Sequence, residues 1–90
     1  MRKVERDLVR FPVLLWVADN VREFREQRGW KQAQLANLAG MGVAYLSGIE
    51  NRHGAPSLEI LSNLAKAFDV TVADLVEDPE LRRQRGGLLR

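Results

Sequence analysis

The 90-residue sequence predicts an all-α fold of five helices in a single domain. Apolar residues recur at spacings of three and four along most of the chain, which is the period of an amphipathic helix. No segment alternates convincingly between apolar and polar residues, as a half-buried strand would. Glycines and helix-capping residues stand where the periodic segments end and begin. Ninety residues leave little room for a second domain, so residues 1–90 are predicted to form one unit.

The first two helices are defined by their apolar periods and by the glycines that follow them. The first is predicted over about 13–28, with Pro12 tolerated in its first turn. The second is predicted over 32–39. Gly29 and Gly40 then mark the two helix ends, because glycine enters the left-handed region of backbone space at little cost.

The remaining three helices are predicted over about 43–51, 58–68 and 72–77. Ser57 and Thr71 directly precede the last two, and serine and threonine are among the preferred N-cap residues. Beyond them the sequence predicts little regular structure. One further turn can run as far as Gln84, and the glycines at 86 and 87 predict an end that frays.

Composition narrows the possible functions. Hydrophobic residues make up 46% of the chain and charged residues 29%, as in an ordinary globular domain. There is no cysteine, which removes disulfides and thiolate chemistry, and the single histidine, His53, has no second imidazole with which to build a metal site. We therefore expect neither a cofactor nor an enzyme. No apolar run approaches the roughly 18 residues that cross a bilayer, so a cytoplasmic protein is expected.

Charge is unevenly distributed, although the formal net charge is only +2. Residues 22–53 carry five basic and three acidic groups, whereas residues 54–81 carry one basic and six acidic groups. The last nine residues hold four arginines and no acid. Such a separation is compatible with one face toward phosphate and another away from it. Solvated helix faces explain it equally well, so charge alone does not decide the function.

The second and third predicted helices meet the packing requirements of a helix-turn-helix. Ala36 is small enough for two helices to approach closely, and Gly40 turns the chain between them. Leu46 and Ile49 are spaced to face Leu35 and Ala36 across the unit. Such a pair of helices can lay one helix across the DNA backbone and the other in the major groove. The set therefore indicates DNA binding.

A family resemblance supports this interpretation. The sequence resembles the phage-repressor/Cro-type (Xre-like) helix-turn-helix regulators in Gly29-Trp30-Lys31-Gln32-Ala33-Gln34-Leu35-Ala36, Gly40, Tyr45-Leu46-Ser47, Ile49-Glu50 and Pro56-Ser57-Leu58-Glu59. The resemblance covers about residues 17–77 and leaves an N-terminal arm, 1–12, and a C-terminal tail, 78–90. It implies a five-helix, lambda-repressor-like domain, usually dimeric, that binds double-stranded operator DNA and represses or autoregulates transcription.

The resemblance also implies roles for individual residues. The glutamine that opens the first motif helix, Gln32, is expected to contact a DNA phosphate, and Lys31 beside it can do the same. The loop after the recognition helix is expected to approach the DNA backbone through Asn51, Arg52 and His53. The residues expected to face base edges are Val43, Ala44, Ser47 and Gly48. Arg25 and Glu50 are expected to form a structural pair that positions the recognition helix.

Two features depart from the family pattern. Lys31 stands where the family usually has a threonine or serine cap, which loses about 1 kcal/mol. The base-facing set contains Val43, Ala44 and Gly48, which cannot make the bidentate hydrogen bonds by which Arg, Gln or Asn read bases. Readout of DNA shape and deformability is therefore expected to contribute to specificity.

Two functional hypotheses remain at this stage. The first is a homodimeric transcriptional regulator, such as a controller or an autoregulatory repressor. The second is a protein-interaction module on the same scaffold, such as an antitoxin that sequesters a toxin. For a dimer, the favoured interface is the C-terminal apolar set Val72, Leu75, Val76 and Leu81, and the alternative is the N-terminal set Val9, Phe11, Leu14 and Leu15.

Overall fold

The computed structural model describes residues 12–89, and side-chain environments as far as residue 85. Within that range the chain forms six helices and no strand: α1 (Val13–Gln27), α2 (Gln32–Ala39), α3 (Val43–Glu50), α4 (Leu58–Phe68), α5 (Val72–Val76) and α6 (Pro79–Leu89). The predicted all-α fold is confirmed. The N-terminal arm lies outside the described residues except for Pro12. No described helix combines the length and the apolarity that crossing a membrane requires.

The ends of α1 and α2 follow the prediction from the sequence. Gly29 and Gly40 have φ of +67° and +69°, in the left-handed region. The residue after each glycine donates its N–H back into the helix, Trp30 to the Arg25 carbonyl at 3.1 Å and Met41 to the Ala36 carbonyl at 2.9 Å. These bonds satisfy carbonyls that the end of a helix would otherwise leave unpaired.

The ends of α3 and α4 use the same bond pattern without glycine. Arg52 and Asp69 take the left-handed conformation, with φ of +64° and +58°. The following residues close the turn, His53 N–H to the Gly48 carbonyl at 2.8 Å and Val70 N–H to the Ala65 carbonyl at 2.9 Å. For residues other than glycine this conformation costs about 1 kcal/mol. Arginine does not mark such a position in the sequence, whereas aspartate is one of the few residues other than glycine that adopt this conformation.

The predicted N-caps of α4 and α5 are confirmed. The Ser57 hydroxyl accepts the Ile60 N–H at 3.1 Å. At the start of α5 the bonds are reciprocal, since Thr71 Oγ1 accepts the Asp74 N–H at 3.1 Å and Asp74 Oδ2 accepts the Thr71 N–H at 2.9 Å. Each cap satisfies a backbone donor that has no partner within its own helix.

One apolar core joins the first five helices. Its fully or nearly fully buried members are Val17, Val21, Phe24, Leu35, Ala36, Ala39, Leu46, Ile49, Leu61, Leu64, Ala65, Phe68 and Leu75. Phe68 lies at its centre against two aromatic rings, with its centroid 5.5 Å from Phe24 and 6.0 Å from Trp30. Burying each large apolar side chain contributes roughly 1.5–3 kcal/mol, so this cluster is the main source of stability.

The C-terminal segment differs from the prediction. Instead of one turn ending at Gln84, α6 is a helix of eleven residues. Its first turn is capped by Asp78, whose Oδ1 accepts the Glu80 N–H at 2.9 Å. Arg82 then lies buried against α1, with its guanidinium 4.5 Å from the centroid of the Phe24 ring. Contacts with α1, rather than local sequence preference, hold this helix.

The buried polar contacts between α1 and α6 form what we call the Asn20 cluster: Asn20, Glu23, Arg82 and the carbonyls of Leu75 and Glu77. Asn20 is fully buried and donates to the two carbonyls at 2.9 and 2.8 Å. Its Oδ1 accepts from Arg82 Nε at 3.2 Å. Arg82 Nη2 lies 3.1 Å from Glu23 Oε2, an ion-pair distance, but without the geometry of a hydrogen bond. The cluster fixes the α5–α6 junction to the first helix.

The arginines that the structure describes in the tail are paired with acids. Arg83 Nη2 lies 2.7 Å from Glu23 Oε2, and Arg85 pairs with Glu77. The hydrogen bond from Arg83 is the largest cause of a lowered pKa at Glu23. Residue counting therefore overstated the basic character of this segment, because its described arginines face carboxylates of α1 and of the residue after α5.

Candidate nucleic-acid interface

The α2–α3 unit has the geometry that the helix-turn-helix prediction requires. Leu35 and Ala36 of α2, and Leu46 and Ile49 of α3, are all buried in the core. Gly40 and the two residues after it connect the helices. Because both helices bury their inner faces, α3 is held as a rigid body and its outer face is left for a ligand.

The residues predicted to face bases lie on that outer face. Val43 is 48% exposed, Ala44 is exposed, and Ser47 and Gly48 are half-exposed. A Cβ added at Gly48 would meet no atom within 4 Å, so nothing in the free protein requires glycine there. A groove of about 270 Å³ separates this end of α3 from the loop that follows it. Its walls include Ala44, Tyr45, Gly48, Ile49, His53, Gly54, Ala55 and Pro56.

Tyr45 is a surface residue that the sequence-based site did not include. It is 49% exposed and lines the groove. In the sequence Tyr45 lies next to Leu46 in an apolar run, so hydropathy alone does not show that Leu46 is buried and Tyr45 exposed. The orientation of α3 against the other helices shows that the aromatic ring of Tyr45 lies on the outer face.

A buried carboxylate anchors the far end of α3. Glu50 is only 1% exposed, and Arg25 of α1 bonds it through two parallel contacts, Nε to Oε2 at 2.9 Å and Nη2 to Oε1 at 3.0 Å. This bidentate pairing raises the pKa of Arg25, chiefly through the hydrogen bond to Glu50. The structure thus brings together the two residues expected to position the recognition helix.

Two more side chains complete what we call the Glu50 cluster: Glu50, Arg25, Arg22 and Gln32. Arg22 Nη2 donates to the Glu50 carbonyl at 2.7 Å. Gln32 Nε2 donates to Glu50 Oε1 at 3.3 Å. Gln32 was expected to contact DNA phosphate, and in the free protein its amide is directed instead to Glu50. Arg25 also bonds the Trp30 carbonyl at 2.8 Å, so the cluster connects α1, α2 and α3.

The basic residues expected to contact phosphate differ in their surroundings. Lys31 is exposed at the start of α2 and makes no side-chain cap, as predicted from its chemistry. The helix start keeps one bond of a capping box, because Gln34 Oε1 accepts the Lys31 N–H at 2.7 Å. Arg52 at the end of α3 is bound to Asp19 of α1, with Nη2 2.8 Å from Oδ1.

The two residues beside Arg52 are exposed. Asn51 donates from Nδ2 to the Ser47 hydroxyl at 3.1 Å, which couples a predicted phosphate contact to a predicted base contact. His53 is exposed and lines the groove next to α3. Within residues 12–89, no group of three or more His, Cys, Asp or Glu side chains is arranged to hold a metal ion.

The predicted dimer interface needs one correction. Leu75 has no exposed surface, because it lies inside the core of its own chain. It has no surface to offer a partner. Val72 and Val76 are half-buried against the core, and Leu81 on α6 is 57% exposed. In the alternative N-terminal set, Leu14 and Leu15 are half-buried, and Val9 and Phe11 lie outside the described residues.

The α2–α3 unit, the exposed outer face of α3 and the buried Arg25–Glu50 pair are the features of a helix-turn-helix protein. The Helix-turn-helix family (HTH_3) matches residues 21–75, more than half of the chain. The chain belongs to this family. The match covers the second half of α1, all of α2, α3 and α4, and α5 except its last residue, and it ends before α6.

Particular members of the family are similar to this chain over most of its length. The HTH-type transcriptional regulator DdrOP3 of Deinococcus deserti is 39% identical over 64 residues, which cover 71% of this chain and 50% of that protein. The control protein C.SmaI of Serratia marcescens is 31% identical over 70 residues, covering 78% of this chain and 83% of C.SmaI. The match thus spans about half the length of DdrOP3 but most of C.SmaI.

A solved structure agrees with the fold. The restriction-modification controller protein C.AhdI of Aeromonas hydrophila superposes with a TM-score of 0.68 at 31% sequence identity. The superposition covers 72% of this chain and 98% of C.AhdI. The two chains share the helix-turn-helix architecture.

Proposed function

We propose that this protein is a transcriptional regulator that binds specific double-stranded DNA sites as a homodimer and represses or autoregulates transcription. One observation carries the proposal. The outer face of α3 is exposed, and a buried bidentate pair, Arg25 and Glu50, holds the helix at its far end. A rigidly held, exposed helix after a tight turn is what insertion into the major groove requires. The site of action is then the cytoplasm, where bacterial DNA lies.

Phosphate contacts supply most of the affinity in this proposal. Lys31 and Gln32 lie at the start of α2, and Asn51, Arg52 and His53 lie at the end of α3. The two groups frame the recognition helix, so each can meet one strand of the DNA backbone. Such contacts fix the position of the protein on the duplex but carry no sequence information.

Base readout belongs to Val43, Ala44, Ser47 and Gly48. Valine and alanine can meet a thymine methyl group, and the Ser47 hydroxyl can donate or accept a hydrogen bond. Small side chains on this face also let α3 approach the bases closely. With few base-reading polar groups, specificity depends in part on the shape and deformability of the site.

The relatives support regulation over toxin sequestration. DdrOP3 is named a transcriptional regulator, C.SmaI a control protein and C.AhdI a restriction-modification controller. The regions similar to this chain make up 83% of C.SmaI and 98% of C.AhdI. A controller-type role is therefore the form of regulation that we propose.

Dimerisation follows from the small recognition surface. One helix with few base-reading groups gives too little discrimination to select a site in a genome, and two-fold association doubles the contacts. The C-terminal apolar residues Val72, Val76 and Leu81 are the interface that we propose. This end of the fold is rich in acids, which favours its lying away from phosphate.

The first test measures duplex binding against salt. If the protein neutralises about four phosphates per dimer, the logarithm of affinity should fall with the logarithm of salt with a slope near about −4. Arg52→Ala should weaken binding to all sequences about equally, whereas Ser47→Ala should change the preference among sites by roughly 1 kcal/mol or more. Affinity that does not change between low and moderate salt would contradict DNA binding.

The second test measures assembly by sedimentation equilibrium at micromolar concentration. We expect a dimer, which Leu81→Asp should shift toward monomer because the leucine is exposed on α6. Leu15→Asp is the control for the alternative N-terminal surface. A wild-type monomer that still protects a single half-site would rule out the dimer.

A further inference from the structure

Arg52 and Asp19 form an ion pair between the end of the recognition helix and the first helix. Arg52 Nη2 lies 2.8 Å from Asp19 Oδ1, and the two residues are 33 positions apart in the sequence. Both side chains are open to solvent, 42% exposed for Arg52 and 36% for Asp19. Ion pairs exposed to this degree contribute little to stability, so a competing anion can open the pair easily.

The neighbouring arginines of α1 are bound differently. Arg25 bonds the carboxylate of Glu50, which is almost completely buried. Arg22 donates to the backbone carbonyl of the same residue, and its Nε lies 3.7 Å from Glu50 Oε1. Opening those contacts would leave a buried charge without its partner, which is expensive. Arg52 is thus the arginine at this end of α3 whose carboxylate partner can be exchanged at low cost.

We propose that Asp19 is an internal competitor of DNA phosphate for Arg52 and thereby lowers the affinity of the protein for any duplex. In the free protein Asp19 forms an ion pair with the guanidinium group of Arg52. This ion pair opens when a DNA phosphate binds the arginine. The inference rests on the proposed function, because it requires Arg52 to contact the DNA backbone.

The exchange of carboxylate for phosphate should be visible in how the affinity for DNA depends on salt concentration. An unpaired arginine that binds phosphate releases one condensed counterion from the DNA, which steepens the salt dependence. With Asp19 present, the free energy gained from the phosphate contact is reduced by the cost of displacing the Asp19 carboxylate from Arg52. The displaced carboxylate also stays close to the DNA backbone and repels it. Asp19 should therefore lower both the affinity and the steepness of the salt dependence. Because phosphate contacts do not distinguish bases, the ratio between two DNA sequences should not change.

The test compares variants for binding to a fluorescent duplex at several salt concentrations. Asp19→Asn should bind about 3- to 10-fold more tightly at low salt. Its slope should be steeper by only a fraction of the roughly 0.9 that a whole phosphate contact contributes, because Arg52 reaches phosphate in both proteins. Glu26→Gln is the matched control, since it removes the same charge from an exposed position two turns along α1. Its gain should be smaller, because Glu26 interacts electrostatically with Arg25 rather than with Arg52.

A double variant isolates the pair. In an Arg52→Ala background, the gain from Asp19→Asn should fall to that of Glu26→Gln. Asp19→Ala serves as a second variant, and circular dichroism confirms that each protein is folded. If both Asp19 variants bind equally or more weakly than wild type, the inference is overturned, while the proposed function stands. If wild type itself does not bind duplex DNA at low salt, the proposed function fails.

Discussion

The Glu50 cluster and the Asn20 cluster both bury polar groups against α1, but they satisfy them in different ways. The negative charge of the buried Glu50 is compensated by the positive charge of Arg25, which donates two parallel hydrogen bonds to it. Asn20 is a buried neutral amide that donates to two backbone carbonyls near the end of α5 and accepts from Arg82. The first cluster orients the recognition helix, and the second attaches α6 to the domain.

The difference between the clusters predicts different costs of disruption. Removing a partner from a buried ion pair leaves an uncompensated charge, whereas removing an amide leaves carbonyls without donors. A lost charge partner is the more expensive of the two. The clusters also lie in different parts of the fold, so their disruption should loosen different helices.

The largest effect is expected for Glu50→Ala. The variant leaves Arg25 half-buried without its carboxylate, so the free energy of unfolding should fall by about 3 kcal/mol or more. Urea denaturation measures the change, and Glu26→Ala on the exposed face of α1 is the control, expected within about 0.5 kcal/mol of wild type. A Glu50→Ala variant as stable as that control would show that charge compensation contributes nothing here.

Asn20→Ala should have an intermediate effect of about 2 kcal/mol. It removes the donors of the Leu75 and Glu77 carbonyls and an acceptor of Arg82. Amide hydrogen exchange should become faster across α6 while the α2–α3 unit stays protected. Asn37→Ala on the exposed surface of α2 is the matched control. Faster exchange in α3 rather than α6 would mean that the cluster serves the recognition helix instead.

The smallest effect concerns Glu23 and depends on pH. Its pKa is lowered, first by the hydrogen bond from Arg83 and also by Arg82, against the opposing effect of burial. A lowered pKa contributes stability above the pKa of the unfolded state, and this contribution is lost as pH falls through the folded pKa. Glu23→Gln should therefore cost about 1 kcal/mol or less at neutral pH.

The same variant should come progressively closer to the stability of wild type as pH falls below the ordinary pKa of glutamate, about 4.3, and on through the lowered pKa of Glu23 in the folded state. Thermal unfolding across the acid range measures both limits. A difference between the two proteins that stays constant with pH would show that packing, rather than charge, accounts for the effect of Glu23.

The recognition unit was largely predictable from the sequence, and the C-terminal helix was not. Gly29 and Gly40 ended α1 and α2 as predicted, and Ser57 and Thr71 capped α4 and α5. In contrast, α6 depends on bonds between residues about sixty positions apart, such as Asn20 with Arg82. No local pattern contains such information, although a polar residue on the apolar stripe of α1 was a signal that it required partners.

The sequence by itself determined the all-α class, the bounds of the first five helices to within a residue, and the helix-turn-helix family. These follow from the period of apolar residues and from capping chemistry, which act between residues a few positions apart. Only the tertiary structure decided which side chains are available to a ligand. It directed Gln32 to Glu50, Arg52 to Asp19 and Leu75 into the core, because the partners of a side chain are set by which helices pack together.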